Sequence, residues 1–308
     1  MKTWALSYLR CPTCLGELAH TPFDDANGLL TCHACNEWFP IWRSIPRMLP
    51  PHLLTSIRQG FLAEFGNQVA AQGLTSDATA NSDDDLRAIK EHTIENFGFE
   101  WIEYARFGWD DPEYNIEHEK KVFLDKSLLK ADSFQDKLVL DAGCGNGRYS
   151  HWANQFGGRV IGIDLGDGVE SAAKNTADQP NIQIVQADIF NPPFATATFD
   201  LIFSIGVLMH TGDAHRATIS LTDKLKPSGS ITIHLYGKGN PVYEWVDRTM
   251  RERTIQMSIP NLQTFTDRLY RVRTSLKRVR LAAQLSRFVR IDPHPHCIFD
   301  WYAAPIAT

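Results

Sequence analysis

Between residues 138 and 236 the chain alternates short apolar runs with longer segments of helical pattern. Leu138, Val139 and Leu140 stop at Asp141. Residues 160–163 stop at Asp164, and residues 182–187 stop at Asp188. Two more runs follow at 199–206 and 230–236, the second after a Leu-Lys-Pro-Ser-Gly turn at 225–229. Helix-like segments fall between them at 148–156, 168–177 and 213–225. Short apolar strands separated by helices predict a doubly wound, mostly parallel α/β sheet with both faces covered. Upstream, Ile116, Val122, Phe123, Leu128 and Leu129 recur at roughly helical spacing within 113–129, which predicts a helix packed on that sheet.

The turn after the first run carries the chemistry. Gly143, Gly145 and Gly147 alternate, whereas a dinucleotide fingerprint would put its third glycine where Arg148 stands. Asp141 beside this turn would repel a pyrophosphate, but it favours the sulfonium and ammonium of S-adenosylmethionine (SAM). Asp164, at the tip of the next strand, is placed for a ribose diol. The run Asp-Ala-Gly-Cys-Gly-Asn-Gly at 141–147 resembles the first motif of class I SAM-dependent methyltransferases (methyltransferase type 11-like), and three later runs follow in that family's order. The resemblance covers about 122–236. It implies a Rossmann-like sheet and a SAM site. In that site Asp141 orients the methionine end and Asp164 holds both ribose hydroxyls. Asp188 and Ile189 meet the adenine, and Ser204 at the end of the fourth strand joins the set. Gly143, Gly145 and Gly147 would keep Cβ atoms clear of the cofactor. Cys144 reads as a small filler. His210, just past the fourth strand, is a weak candidate for a general base, with a structural role equally open; His234 and Tyr236 are weaker still. A Rossmann-like fold with another ligand is the bland alternative. Asn191-Pro192-Pro193-Phe194 spells a signature of amino-group methyltransferases, but it precedes the fourth strand instead of following it. Two prolines that stop a strand and stiffen a loop explain it better.

A second signal lies at the front. Cys11-x-x-Cys14 and Cys32-x-x-Cys35 are two knuckles whose four thiolates suit the tetrahedral shell of a closed, structural Zn²⁺ site. No secretory segment precedes them, so disulfides are the weaker reading. His20 and His33 read as bystanders. The surroundings, Trp38-Phe39-Pro40-Ile41 and Ile45-Pro46-Arg47-Met48-Leu49 among them, resemble the zinc-ribbon domain of the activator subunit shared by eukaryotic tRNA, rRNA and translation-factor methyltransferases. That implies a non-catalytic module that stabilises the enzyme or presents its substrate.

The 308 residues divide on this reading into a zinc ribbon (1–51), a linker and helical lid segment (52–112) and a methyltransferase domain (113–308). The linker is placed at 66–85, ending in three aspartates. The aromatic stretch from Phe97 to Trp109 reads either as a lid on the site or as a packed helical layer. A helical insertion is expected at about 240–292. One strand-like piece at 296–302 leaves the usual C-terminal hairpin incomplete, which puts activity of the chain alone in question.

Net charge is −5, yet residues 241–290 hold eleven Lys or Arg against four Asp or Glu. Arg271, Arg273, Lys277, Arg278, Arg280, Arg287 and Arg290 fall in one expected helix. It reads as a solvated face or as a surface for RNA, a phosphorylated or lipid-linked substrate, or an acidic membrane. No apolar run is long enough to span a membrane, and a cytoplasmic location is the default. Three functions are carried forward. The first is a methyltransferase acting on a small-molecule or lipid- or sugar-linked acceptor. The others are an rRNA or tRNA methyltransferase and a non-catalytic SAM-binding scaffold.

Overall fold

The computed structural model describes residues 1–74, 85–110, 115–237, 241–254 and 256–276. After a short helix, α1 (Thr3–Leu6), four strands form an antiparallel meander. They are β1 (Leu18–Pro22), β2 (Gly28–Cys32), β3 (Trp38–Trp42) and β4 (Ile45–Met48). The β3–β4 link is two residues, Arg43 and Ser44, at φ of 54° and 66°. That is the doubly left-handed geometry of a tight hairpin turn. The Asn27 side chain, accepting from the Arg43 N–H at 2.9 Å, and the Ala26 carbonyl, accepting from the Ser44 N–H at 2.7 Å, hold it.

The doubly wound unit follows as β5 (Leu138–Ala142), α5 (Arg148–Gln155), β6 (Arg159–Asp164), α6 (Gly168–Asn175), β7 (Ile182–Ala187), β8 (Phe199–Ile205), α7 (Ala214–Thr222) and β9 (Leu225–His234). Alternate strand residues face opposite layers. Leu138, Leu140, Ile161 and Ile163 join one core, and Val139, Val160 and Leu201 join the other with Phe123, Phe134 and Trp152. This is the expected mostly parallel α/β sheet. The 225–229 segment differs from the expected turn. It is the start of β9, with a register irregularity opposite Asp200, whose carboxylate accepts from Leu138 N–H and Lys226 Nζ at 2.9 Å each.

The nine strands of the described residues form one sheet, in the order β1-β2-β3-β4-β7-β6-β5-β8-β9. The ribbon is joined to the rest through β4, where Arg47 and Met48 pair in parallel with Gln186 and Ala187. The buried Arg47 guanidinium donates to Gln186 Oε1 at 2.9 Å and pairs with Glu170 on α6. Met48, Leu49 and Leu54 are buried beside Val185 and Ala187. Each such side chain contributes roughly 1.5–3 kcal/mol. An ion pair loses most of its Coulomb gain to desolvation, so apolar packing dominates the seam. The Asn-Pro-Pro-Phe segment strengthens it on another side. Pro193 carbonyl accepts from Arg10 N–H at 2.8 Å, Leu9 bridges to Phe194, and Phe194 is fully buried.

The remaining helices of the described chain are α2 (Pro51–Ala71), α3 (Arg87–Glu103), α4 (Ile116–Ser127), α8 (Pro241–Thr254) and α9 (Ile259–Leu276). The expected linker begins later than its composition suggests. Residues 66–71 are helical because Phe61, Phe65 and Val69 continue an apolar stripe onto Phe23 and Trp38 of the ribbon. On α9, Leu262, Phe265, Leu269 and Tyr270 pack with Phe99 and Tyr104 of the α3 region and with Tyr236. The strand expected at 296–302 and the basic residues from Lys277 onward lie outside the described residues; Arg271 and Arg273 fall on α9. No helix among the described residues is long and apolar enough to cross a membrane.

Candidate active site and metal centre

The two knuckles of the ribbon repeat one geometry. Leu15 N–H donates to Cys11 carbonyl at 2.8 Å, and Asn36 N–H donates to Cys32 carbonyl at 2.9 Å. Leu15 and Asn36 take left-handed φ values of 59° and 61°. Each knuckle closes with a bond from its first cysteine, Cys11 N–H to Gly16 and Cys32 N–H to Glu37. The four sulfurs of Cys11, Cys14, Cys32 and Cys35 lie within 4.8 Å of one another, with cross-knuckle separations of 3.6 and 3.4 Å. A tetrahedral shell with Zn–S of about 2.3 Å has edges of about 3.8 Å, so the donor set fits zinc. Zinc would supply a cross-link between the knuckles and leave no open position for catalysis. Arg58 on α2 ties the second knuckle to the helix through Glu37 at 2.8 Å and through the Trp38 carbonyl.

The second centre is a cavity of about 410 Å³ at the carboxyl ends of β5, β6, β7 and β8. The strand order turns back there, between β5 and β8, which is where open α/β sheets bind ligands. Its wall includes Gly143, Cys144, Gly145, Asp164, Asp188, Ile189 and His210. Two helices cover it. From α3 come Ile89, Lys90, Thr93, Phe97 and Trp101, and from α4 come His118, Glu119, Val122 and Lys126. The aromatic stretch is thus both a packed layer and the cover of the cavity.

Not every expected residue reaches the wall. Asp141 lies beneath the glycine turn, where Ser150 Oγ donates to it at 2.6 Å, and burial pushes its carboxyl up to about 7. Ser204 is fully buried, and its hydroxyl is spent on the Ala142 carbonyl at 2.8 Å, pinning β8 to β5. Gly147 starts α5, and a Cβ there would press on Ala172 at 3.2–3.3 Å. Its freedom serves the packing of α5 on α6. At the other two glycines the protein itself sets the requirement. A Cβ at Gly143 would meet Val207 at 2.3 Å, and one at Gly145 would meet Trp101 at 2.8 Å.

The acids at the strand tips are held differently. Asp164 accepts from Gly145 N–H at 3.0 Å and Gly166 N–H at 3.1 Å; burial raises its carboxyl and these bonds oppose the rise. Asp188 accepts from Lys90 Nζ at 2.8 Å and Phe190 N–H at 2.9 Å. His210 is buried, with its ring 5.1 Å from Phe97 and 6.0 Å from Tyr236. The Cys144 thiol is pushed well up by burial, as a filler would be.

Sequence reasoning passed over Lys90, Glu119 and Arg148, and it left Trp101 open between a lid and a packed layer. Ile89, Thr93, Phe97 and Trp101 recur every four residues, a stripe that could have marked α3 as a cover. Nothing local marks Glu119 or Arg148. They meet only in the fold, 2.9 Å apart.

Residues 140–233 match the family described as Methyltransferase domain, and residues 6–43 match the one described as Trm112p-like protein. Malonyl-[acyl-carrier protein] O-methyltransferase of Buchnera aphidicola is 27% identical over 153 residues, 46% of this chain and 61% of that protein. Ubiquinone biosynthesis O-methyltransferase of Coxiella burnetii is 32% identical over 108 residues, 34% of this chain and 46% of that protein. The chain spans about half the length of the curated relatives it matches. A solved SAM-dependent methyltransferase from Mesorhizobium loti superposes with a TM-score of 0.35 at 23% identity, over 42% of this chain and 56% of its own. The glycine turn and the two strand-tip acids on one cavity wall fit the cofactor of that family, SAM. The chain therefore joins an N-terminal Trm112p-like domain to a methyltransferase domain of the class I, SAM-dependent kind.

Proposed function

We propose that this protein transfers a methyl group from SAM to a small-molecule or a lipid- or sugar-linked acceptor. One observation carries the reading. Gly143, Gly145, Asp164, Asp188, Ile189 and His210, scattered over 68 positions of sequence, line a single covered cavity. SAM supplies a methyl already activated by its sulfonium, so the protein has mainly to align the acceptor and exclude water. Asp164 takes the ribose hydroxyls, its carboxylate preset by two backbone N–H groups. Ile189 and Asp188 border the adenine. The α3 and α4 helices cover the cavity, which limits water at the methyl group. His210 sits at the carboxyl end of β8, beside Tyr236 and Phe97, where it would take a proton from an acceptor hydroxyl. The named substrates of the relatives, such as malonyl-[acyl-carrier protein] and phosphoethanolamine, are small or carrier-linked.

The test is transfer of labelled methyl from SAM into fractionated cell extract by the purified full chain. Label in the small-molecule or lipid fraction supports the reading. Label in RNA overturns it in favour of an RNA methyltransferase, and SAM binding without transfer into any fraction overturns it in favour of a scaffold. Asp164→Ala is expected to lower SAM affinity by at least about 30-fold, since it removes hydrogen bonds to a charged acceptor group worth about 2 kcal/mol or more.

A further inference from the structure

Among the described residues, the cavity wall carries three carboxylates, Glu119, Asp164 and Asp188, and three cations, Lys90, Lys126 and Arg148. Four of these six neutralise one another. Lys90 Nζ lies 2.8 Å from Asp188, and Arg148 Nε lies 2.9 Å from Glu119. The carboxylate of Asp164 accepts from the N–H groups of Gly145 and Gly166. Lys126 is the cation left over. Half-buried on the wall, its ammonium has neither an ion pair nor a hydrogen bond among the described residues.

Its place in the fold sets Lys126 apart from the cofactor acids. Asp164 and Asp188 stand at the ends of β6 and β7, whereas Lys126 comes from the last turn of α4, which packs against β8 and β9. On that side the wall is made by Ile205 and Gly206 at the end of β8 and by Tyr236 just past β9. In the order β7-β6-β5-β8, three strand spacings of about 4.8 Å separate the tips of β7 and β8 by about 14 Å. The cofactor fits along β7, β6 and β5, so Lys126 falls with His210 on the acceptor side. The field there is positive. His234, at the end of β9, is held below the usual imidazole range by burial and by the Lys126 charge, so its neutral ring supplies no countercharge. A lysine in the last turn of a helix also suits the helix dipole, but one placed for that alone carries its head out into water.

We infer that Lys126 binds an anionic group, a carboxylate or a phosphate, on the methyl acceptor and thereby selects negatively charged acceptors. The inference rests on the methyl-transfer reading of the cavity and names the acceptor class for it. An ammonium suits either anion, because it is a compact point charge with three donors on a flexible stem. Partial burial strengthens the contact, since less water and salt screen it. Anchoring the anion at Lys126 limits the ways the acceptor can turn, which helps to aim its reacting atom at the methyl group beside His210. A neutral or cationic analogue would leave the ammonium desolvated and unpaired, and it is disfavoured for that reason.

The test separates a cell extract at neutral pH, before any reaction, into pools held by an anion exchanger, held by a cation exchanger, and held by neither. Each pool is offered to the full chain with labelled SAM. Most acceptor activity is expected in the anion-exchanger pool. Alkaline phosphatase then distinguishes the two anions: loss of acceptor activity assigns a phosphate monoester, and survival assigns a carboxylate or a phosphodiester. Lys126→Ala should raise the amount of that pool needed for half-maximal rate by about 10- to 100-fold, the scale of a hydrogen bond to a charged group. Lys126→Glu should raise it further, and Lys126→Arg should stay within about five-fold of the wild type. The effect should fall on half-saturation more than on the saturated rate, and calorimetric affinity for S-adenosylhomocysteine should stay within about two-fold in all three variants. Most activity in either of the other pools overturns the inference and leaves methyl transfer standing. So does a Lys126→Ala protein with wild-type half-saturation, whether or not it melts lower. A loss of S-adenosylhomocysteine affinity as large as the loss for the acceptor overturns it too, because Lys126 would then belong to the cofactor side. Transfer into no pool at all defeats the methyl-transfer reading itself.

Discussion

Asp141 has a different role in the fold from the one its motif suggests. Completely buried and pushed up to about 7, it prefers to be protonated in the folded protein far more than in the unfolded chain. The sign follows from linkage: its folded value lies above the ordinary aspartate value of 3.8, so its contribution to stability is full below about pH 4 and is lost as pH rises to about 7. Each tenfold change in proton affinity is worth about 1.4 kcal/mol. Asp141→Asn should therefore flatten the decline in ligand-free melting temperature between about pH 4 and 7. It should also raise that temperature above about pH 7, where the buried carboxylate would otherwise ionise. A variant with the wild-type slope would show that Asp141 stays ionised. At this scale the sequence was readable where one residue type meets one geometric demand. The two Cys-x-x-Cys knuckles, the glycine alternation and the strand-tip acids Asp164 and Asp188 all fall where their spacing put them. Ser204 and Gly147 are misleading for the same reason. Their positions in the motif are right, but Ser204 bonds to Ala142 and Gly147 abuts Ala172, partners set by packing.

At the scale of elements, β4 connects the metal centre to the cofactor side. It is the last strand of the ribbon, and it pairs with β7, whose end carries Asp188. Arg47 locks the same strand to β7 and α6. Removing one partner of a buried ion pair costs about 3–5 kcal/mol. With Glu170 about a third exposed, Arg47→Met is expected at the lower end, a fall of roughly 5–10 °C in melting temperature. Measured by calorimetry, a shift below about 1 °C would mean that the apolar seam alone holds the ribbon. Stripping zinc with a strong chelator, or Cys32→Ser, should unfold the knuckles. Because β4 is shared, it should also weaken SAM binding, although no cysteine of the knuckles lines the cavity. Unchanged affinity after proven metal loss would separate the two centres. Apolar stripes run along both α2 and α3, yet composition pulled the linker too early, since Ala, Gln and Asn at 66–71 are compatible with helix once Val69 finds a core.

At the scale of the molecule, the described residues form one nine-stranded sheet that runs from the ribbon to β9, and the described core is continuous across the join. The ribbon therefore acts as the covering of a sheet edge that would otherwise present unpaired backbone. A chain lacking residues 1–51 is expected to be insoluble or to melt well below the full chain. The full chain should unfold in a single calorimetric transition, and two separated transitions would contradict a shared core. Local chemistry let the sequence determine the parallel α/β class, the glycine turn with its following acids, and a four-thiolate metal site, because each depends on the spacing of nearby residues. Only the tertiary structure could decide that β4 joins β7, that α3 and α4 close the cavity, and that Glu119 meets Arg148. Those contacts join residues far apart in the chain, and their partners are chosen by burial and charge compensation.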